Sequence, residues 1–184
     1  MQQTPAPASS PRSARQPDAD GLDHTRDAQE AVVAERVDAP WLPPGGRALV
    51  VRGGRAPAPM CLVRLLLRRD DRVFCVPRDG AGKLDLPTRA VAVGDPGGAS
   101  TLAELVAVVT GAPREAHYVG AVRNVVDVGA SDYPWPAPLA NFGVWSVGGA
   151  PVVRGDWVGV DAATSLLRDR HWFPLLHGSA SATP

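Results

Sequence analysis

The chain has 184 residues, 45% of them apolar, and its 19 basic and 19 acidic residues cancel. That length suits one domain with a sizeable core plus a tail. The zero net charge excludes a global field that would gather nucleic acid or an anionic membrane. Lys83 is the sole lysine; arginine prevails on every segment, which points to coding bias before phosphate recognition. No apolar run approaches the ~20 residues of a membrane span, and no signal-type hydrophobic region stands at the N-terminus, so the expectation is a soluble cytoplasmic protein.

Residues 1–40 are rich in Pro, Ala, Ser and Gln and too poor in apolar residues to offset the entropy of ordering, which predicts a disordered tail. Within it, residues 27–37 have helical character. A domain is predicted over residues 41–177, with a frayed end at 178–184. Residues 47–52 read as a strand ended by Gly53-Gly54. Residues 61–67 and 72–76 flank the polar pair Asp70-Asp71 and predict a hairpin whose first arm, apolar on both faces, is central in its sheet. A two-residue turn there sets Cys75 opposite Leu66 rather than Cys61, so free buried thiols are expected.

After a flexible loop at residues 78–82, a strand-like segment breaks at Leu86-Pro87. A Gly-rich loop carrying Asp95 leads to a short helix from Thr101 that stops at Gly111 and Pro113. Residues 117–126 and 141–147 read as strands, joined by a connection whose prolines (Pro134, Pro136, Pro138) exclude a helix or an interior strand. Residues 152–160 are expected to extend the sheet. Asp161 is expected to cap a second helix over 162–168. Strands and two helices without regular alternation predict an α/β class of the α+β kind, a mixed sheet with helices packed against it.

The order from Arg47 to Leu176 resembles the Nudix hydrolases: the hairpin, the Leu86-Pro87 break, the acid-bearing loop, the short helix closed by Gly111, and the late Trp157-Val158-Gly159-Val160-Asp161-Ala162. The resemblance implies an α/β/α sandwich and a magnesium or manganese ion held by a helix-borne carboxylate cluster against a diphosphate. Asp95 stands at the first acidic position and Glu104 at or beside the glutamate of the Arg-Glu step. Thr88-Arg89 replace the glycine pair, and apolar residues (Ala107-Val108 or Val108-Val109, by alignment) replace the paired glutamates. Asp95 and Glu104 are thus the metal candidates, and Glu104 is the single catalytic candidate. A general base worth about 10²- to 10⁴-fold in rate is missing. The resemblance therefore implies a domain with lost or weak hydrolysis that binds a nucleotide-like molecule or a protein partner, or a hydrolase drawing acids such as Asp127 or Asp132 from outside the box.

Each candidate also has a bland reading. Thr101-Leu102-Ala103-Glu104 fits a capping box, with the Thr101 hydroxyl on the Glu104 amide and the Glu104 carboxylate turned back to the Thr101 amide. Asp95 beside Pro96-Gly97-Gly98 fits a turn. Tyr133 and Trp135, on the Pro-stiffened loop, either present aromatic faces to a ligand or cover the core edge. Arg89 is a further ligand candidate, and Arg123 with Asn124 either meets a phosphate or lies on a solvated strand face. His171 and Trp172 read as core-edge packing. No P-loop, nucleophile elbow or dinucleotide glycine fingerprint is present.

Overall fold

The computed structural model describes residues 29–78, 82–129 and 132–177. The expected tail through residue 28, most of the loop at 78–82 and the expected frayed end at 178–184 lie outside them. Ten strands and one α-helix are described: β1 (Ala31–Val37), β2 (Arg47–Arg52), β3 (Met60–Leu66), β4 (Arg68–Arg69), β5 (Arg72–Pro77), β6 (Leu84–Asp85), β7 (Thr88–Ala90), α1 (Ala99–Thr110), β8 (Ala116–Val125), β9 (Leu139–Val147) and β10 (Asp156–Gly159). The main sheet runs β1-β2-β8-β9-β3-β7; β3 and β9 are parallel and the other neighbours antiparallel. A smaller sheet runs β10-β5-β4, with β6 paired to β5. The fold is α+β, dominated by its sheets.

Of the predicted hairpin the turn forms as expected, but only Arg68–Arg69 (β4) pair with β5; the first arm, β3, pairs with β9 and β7 in the main sheet instead. Arg69 pairs with Arg72, so Asp70-Asp71 is the two-residue turn, and Asp70 takes a left-handed backbone with φ of 52°. β3 is paired on both edges, to β9 and β7, which explains why both of its faces are apolar. The chain then breaks at Leu67 and passes from the main sheet to the small one. Cys61 and Cys75 are both buried and free.

Two cores sandwich the main sheet. On one face Val63, Leu65, Trp145 and Val147 pack against Leu105, Val106 and Val109 of α1. On the other, Val50, Val122, Phe142 and Val144 pack against Leu167, Trp172, Phe173, Leu175 and Leu176 of the C-terminal segment. α1 ends where Gly111 turns left-handed, with φ of 74°.

Three expectations need correction. Residues 31–37 form a strand, β1, on the edge of the main sheet, not a helix in a tail. Val32, Val33 and Val37 favour an extended chain, and pairing with β2 supplies backbone partners that a short isolated helix has to find alone. Residues 162–168 do not form an α-helix. The Asp161 carboxylate does accept from the amides of Ala163 and Thr164, each at 3.0 Å. Ser165, however, donates to the Gly159 carbonyl at 2.6 Å and accepts from the Leu167 amide at 3.1 Å, so the chain turns instead of propagating a helix. A short 3-10 helix follows at Phe173–Leu176. Finally, β10 pairs with β5 in the small sheet and does not extend the main one. Among the described residues no helix is long and apolar enough to cross a membrane.

Candidate functional site

The box residues are held by one another. The Asp95 carboxylate accepts from the Thr101 amide at 2.8 Å and from the Thr101 hydroxyl at 2.9 Å. The Thr101 hydroxyl in turn accepts from the Ala92 amide at 3.2 Å. Asp95, not Thr101, therefore caps the first turn of α1, and helix-terminal amides with the Thr101 hydroxyl hold its carboxyl below the ordinary 3.8. The expected capping box does not form. Glu104 lies on the exposed face of α1 and pairs with Arg89 of β7 at 2.8 Å. Among the described residues no three His, Cys, Asp or Glu side chains converge as a metal-holding group. Asp127 and Asp132 are exposed. Asp95 Oδ2 is engaged by Thr101 and Glu104 Oε2 by Arg89, so each candidate ligand has a partner within the chain.

The opposite face of the main sheet carries a cleft. Strand alternation puts Val50 of β2, Val122 and Asn124 of β8, Phe142 of β9, and Leu62 and Arg64 of β3 on that face. Three segments cover it: Trp41 before β2, Tyr133-Pro134-Trp135 between β8 and β9, and Arg170-His171 near the C-terminus. Trp41 and His171 stack at 3.6 Å and 18° between two compartments of about 250 and 260 Å³. The first is lined by Glu35, Arg36, Arg168, Asp169 and Arg170, in which both signs are present. Arg64, Arg78, Asn124, Tyr133, Trp135 and Phe142 line the second, with no acidic residue among its described walls.

The second compartment has unmet polar demand. Arg64 is 8% exposed, and its Nε and Nη1 have no hydrogen-bond partner among the described residues. Asn124 is 5% exposed; its Nδ2 donates to the Tyr133 hydroxyl at 2.9 Å, while its Oδ1 has no partner. Trp41 Nε1 is buried and equally without one. Asp85, the buried acid nearest in charge balance, is already saturated. Its Oδ1 accepts from Trp172 Nε1 at 2.7 Å and the Leu86 amide at 2.8 Å, and its Oδ2 faces Arg78 at 3.3 Å and Arg170 at 3.7 Å. Burial first, and the repulsion of Arg78 and Arg170 after the attraction of Asp85, lowers the Arg64 guanidinium to about 10. Burial first, then the charges of Arg64, Arg36 and Arg78, push His171 below its ordinary value against the pull of Asp85.

Of the residues singled out in the sequence, the cleft brings together Tyr133, Trp135, Asn124 and His171. Trp135 stands edge-on to Phe142 at 5.4 Å. Arg123 is on the other face of β8, clamped to Glu30 by two 2.9 Å bonds, and Arg89 is paired with Glu104; neither reaches the cleft. Trp172 is in the core. Sequence reasoning missed Arg64, Asp85 and Trp41. A lone arginine inside an aliphatic run that is apolar on both faces was the available signal, since such a strand has no solvated side to receive the charge.

No family model matches the chain, and no curated protein matches it significantly.

Proposed function

We propose that this chain is a Nudix-derived domain that has given up metal-dependent hydrolysis and binds a small anionic molecule with a planar ring in the cleft opposite α1. The Nudix assignment rests on the order of elements around the Leu86-Pro87 break and on the place of α1. In this reading the α/β/α sandwich of that family is kept on the α1 side and replaced by turns and the 3-10 helix on the other. Nucleotide-like molecules are the ligand class that the resemblance implies.

The observation that carries the reading is the contrast between the two faces. The box carboxylates have partners within the chain, whereas buried polar atoms around Arg64 and Asn124 have none among the described residues. A buried polar group without a partner costs about 1–3 kcal/mol, and more when charged, so a fold that keeps several in one cleft is explained by a ligand that completes them.

The test is turnover and binding side by side. Nucleotide sugars, dinucleotides and nucleoside diphosphates are incubated with magnesium or manganese, and thermal shifts are recorded on the same panel. The expected result is no phosphate-containing product and a shift that disappears in Trp135→Ala. Metal-dependent turnover lost in Glu104→Gln or Asp95→Asn refutes the loss of catalysis. A co-purifying protein partner lost on Tyr133→Ala, with no shift from any small molecule, refutes the ligand reading.

A further inference from the structure

The cleft's chemistry is narrower than the family resemblance implies. Resting on the reading of the cleft as a ligand site, we infer that the compartment around Arg64 takes a single-ring aromatic carboxylic acid carrying a ring hydroxyl or N–H, rather than a nucleotide.

Charge sets the anion. Buried Arg64 and half-buried Arg170 both face one carboxylate, Asp85, whose Oδ1 accepts two hydrogen bonds and whose Oδ2 lies 3.3 Å from Arg78 and 3.7 Å from Arg170. Arg78 adds a charge, but its side chain is 53% exposed and largely screened. One surplus buried guanidinium calls for one negative charge. A carboxylate offers it in a plane that matches one edge of the guanidinium, Nη2 together with either Nε or Nη1, the two nitrogens without a partner among the described residues.

Shape sets the body. The compartment of about 260 Å³ lies below the roughly 300–1,000 Å³ of pockets for drug-sized ligands. The stacked Trp41 and His171 line both compartments, so a ligand that spans the two has to pass that stack. The walls are aromatic, with Tyr133, Trp135 and Phe142 around the space and Pro134 stiffening the loop. Flat aromatic ligands gain from such edges and faces. Asn124 Oδ1 is an acceptor awaiting a donor on the ring, and Trp41 Nε1 a donor awaiting a second acceptor. The neighbouring compartment sets Glu35 and Asp169 against Arg36, Arg168 and Arg170, whereas the described walls here carry Arg64 and Arg78 with no acid, which favours an anion on the Arg64 side.

The experiment is isothermal titration of the full chain with benzoate, 4-hydroxybenzoate, nicotinate, the neutral 4-hydroxybenzamide, and AMP, repeated on Arg64→Met and Arg64→Lys. Circular dichroism verifies the fold of each variant. At least one acid is expected to bind saturably, the amide about ten-fold or more weakly, and both variants to lose about ten-fold or more, the worth of one charge-assisted pair. Arg64→Lys keeps the charge, and its loss isolates the planar fork from charge alone. Equal binding of acid and amide, or undiminished binding in Arg64→Met, overturns the inference. AMP binding that depends on Arg64, with no acid bound, overturns the carboxylate class and leaves the cleft as a ligand site. If neither acids nor AMP bind, both readings fall.

Discussion

Replacing Arg64 by methionine is expected to stabilise the protein. The guanidinium is buried with two nitrogens unpaired, and the fold lowers it from 12.5 to about 10. At about 1.36 kcal/mol for each tenfold step, this corresponds to roughly 3 kcal/mol by which folding disfavours the charged form. Methionine is unbranched, flexible and apolar, so it fills the space of the arginine stem without the charge. Exchanges of buried ions for apolar residues of similar volume have gained about 1–4 kcal/mol elsewhere, and a gain of about 1–3 kcal/mol is expected here. Such a gain raises Tm by about 3–10 °C. Urea unfolding at pH 7, where Arg64 is charged in both the folded and the unfolded chain, reads the whole difference. The sign with pH is also fixed. Between about 10 and 12.5 the unfolded chain holds the Arg64 proton more tightly than the folded one, so this contribution to stability rises with pH only in that window and is absent from Arg64→Met. A variant destabilised by more than about 1 kcal/mol with an unchanged urea slope would refute the reasoning, because Arg64 would then be a net contributor to the fold.

Two further outcomes concern other parts of the molecule. Thr101→Val removes the hydroxyl that joins Asp95 to the Ala92 amide and should cost about 1–2 kcal/mol in urea unfolding. Because these bonds lower Asp95, its contribution is present above its unfolded value of 3.8 and is lost as pH falls through the lowered one, so the acid-unfolding midpoint of Thr101→Val should move to higher pH. Burial raises both thiols, Cys75 to about 12 with the nearby Asp85 charge adding to it, so neither should react with a disulfide reagent at pH 8 in the native protein and both should react in guanidinium chloride; rapid native labelling contradicts the buried placement.

The parts of this fold that were legible in the sequence are those decided locally. Asp70-Asp71 between two apolar arms specified a turn, Gly111 before Pro113 a helix stop, and the prolines from Pro134 to Pro138 a loop able to carry Tyr133 and Trp135 to a cavity. The parts that were not legible depend on distant partners. Residues 31–37 combine helix-forming Ala, Glu and Arg with β-branched valines, and only the free edge of β2 decides between the two. The Thr101-to-Glu104 spacing was right for a capping box, but Asp95 competes for the same amide from a loop that the sequence leaves undirected, and Arg89 draws Glu104 away. Arg64 was hidden because its neighbours dominate the pattern; the period of two that puts Leu62, Arg64 and Leu66 on one face was enough to place it, but not to show that the C-terminal segment would close over it.

The cleft's cover has a consequence for how the molecule assembles. Trp41, the Tyr133 loop and His171 come from segments far apart in the chain, and the last lies beyond every strand. Closing such long loops costs entropy that a formed sheet offsets, so the compartment depends on the sheet beneath it. A ligand of the kind proposed, meeting all three segments at once, would slow their separation more than it hastened their meeting, and would latch the segment around His171 to the sheet.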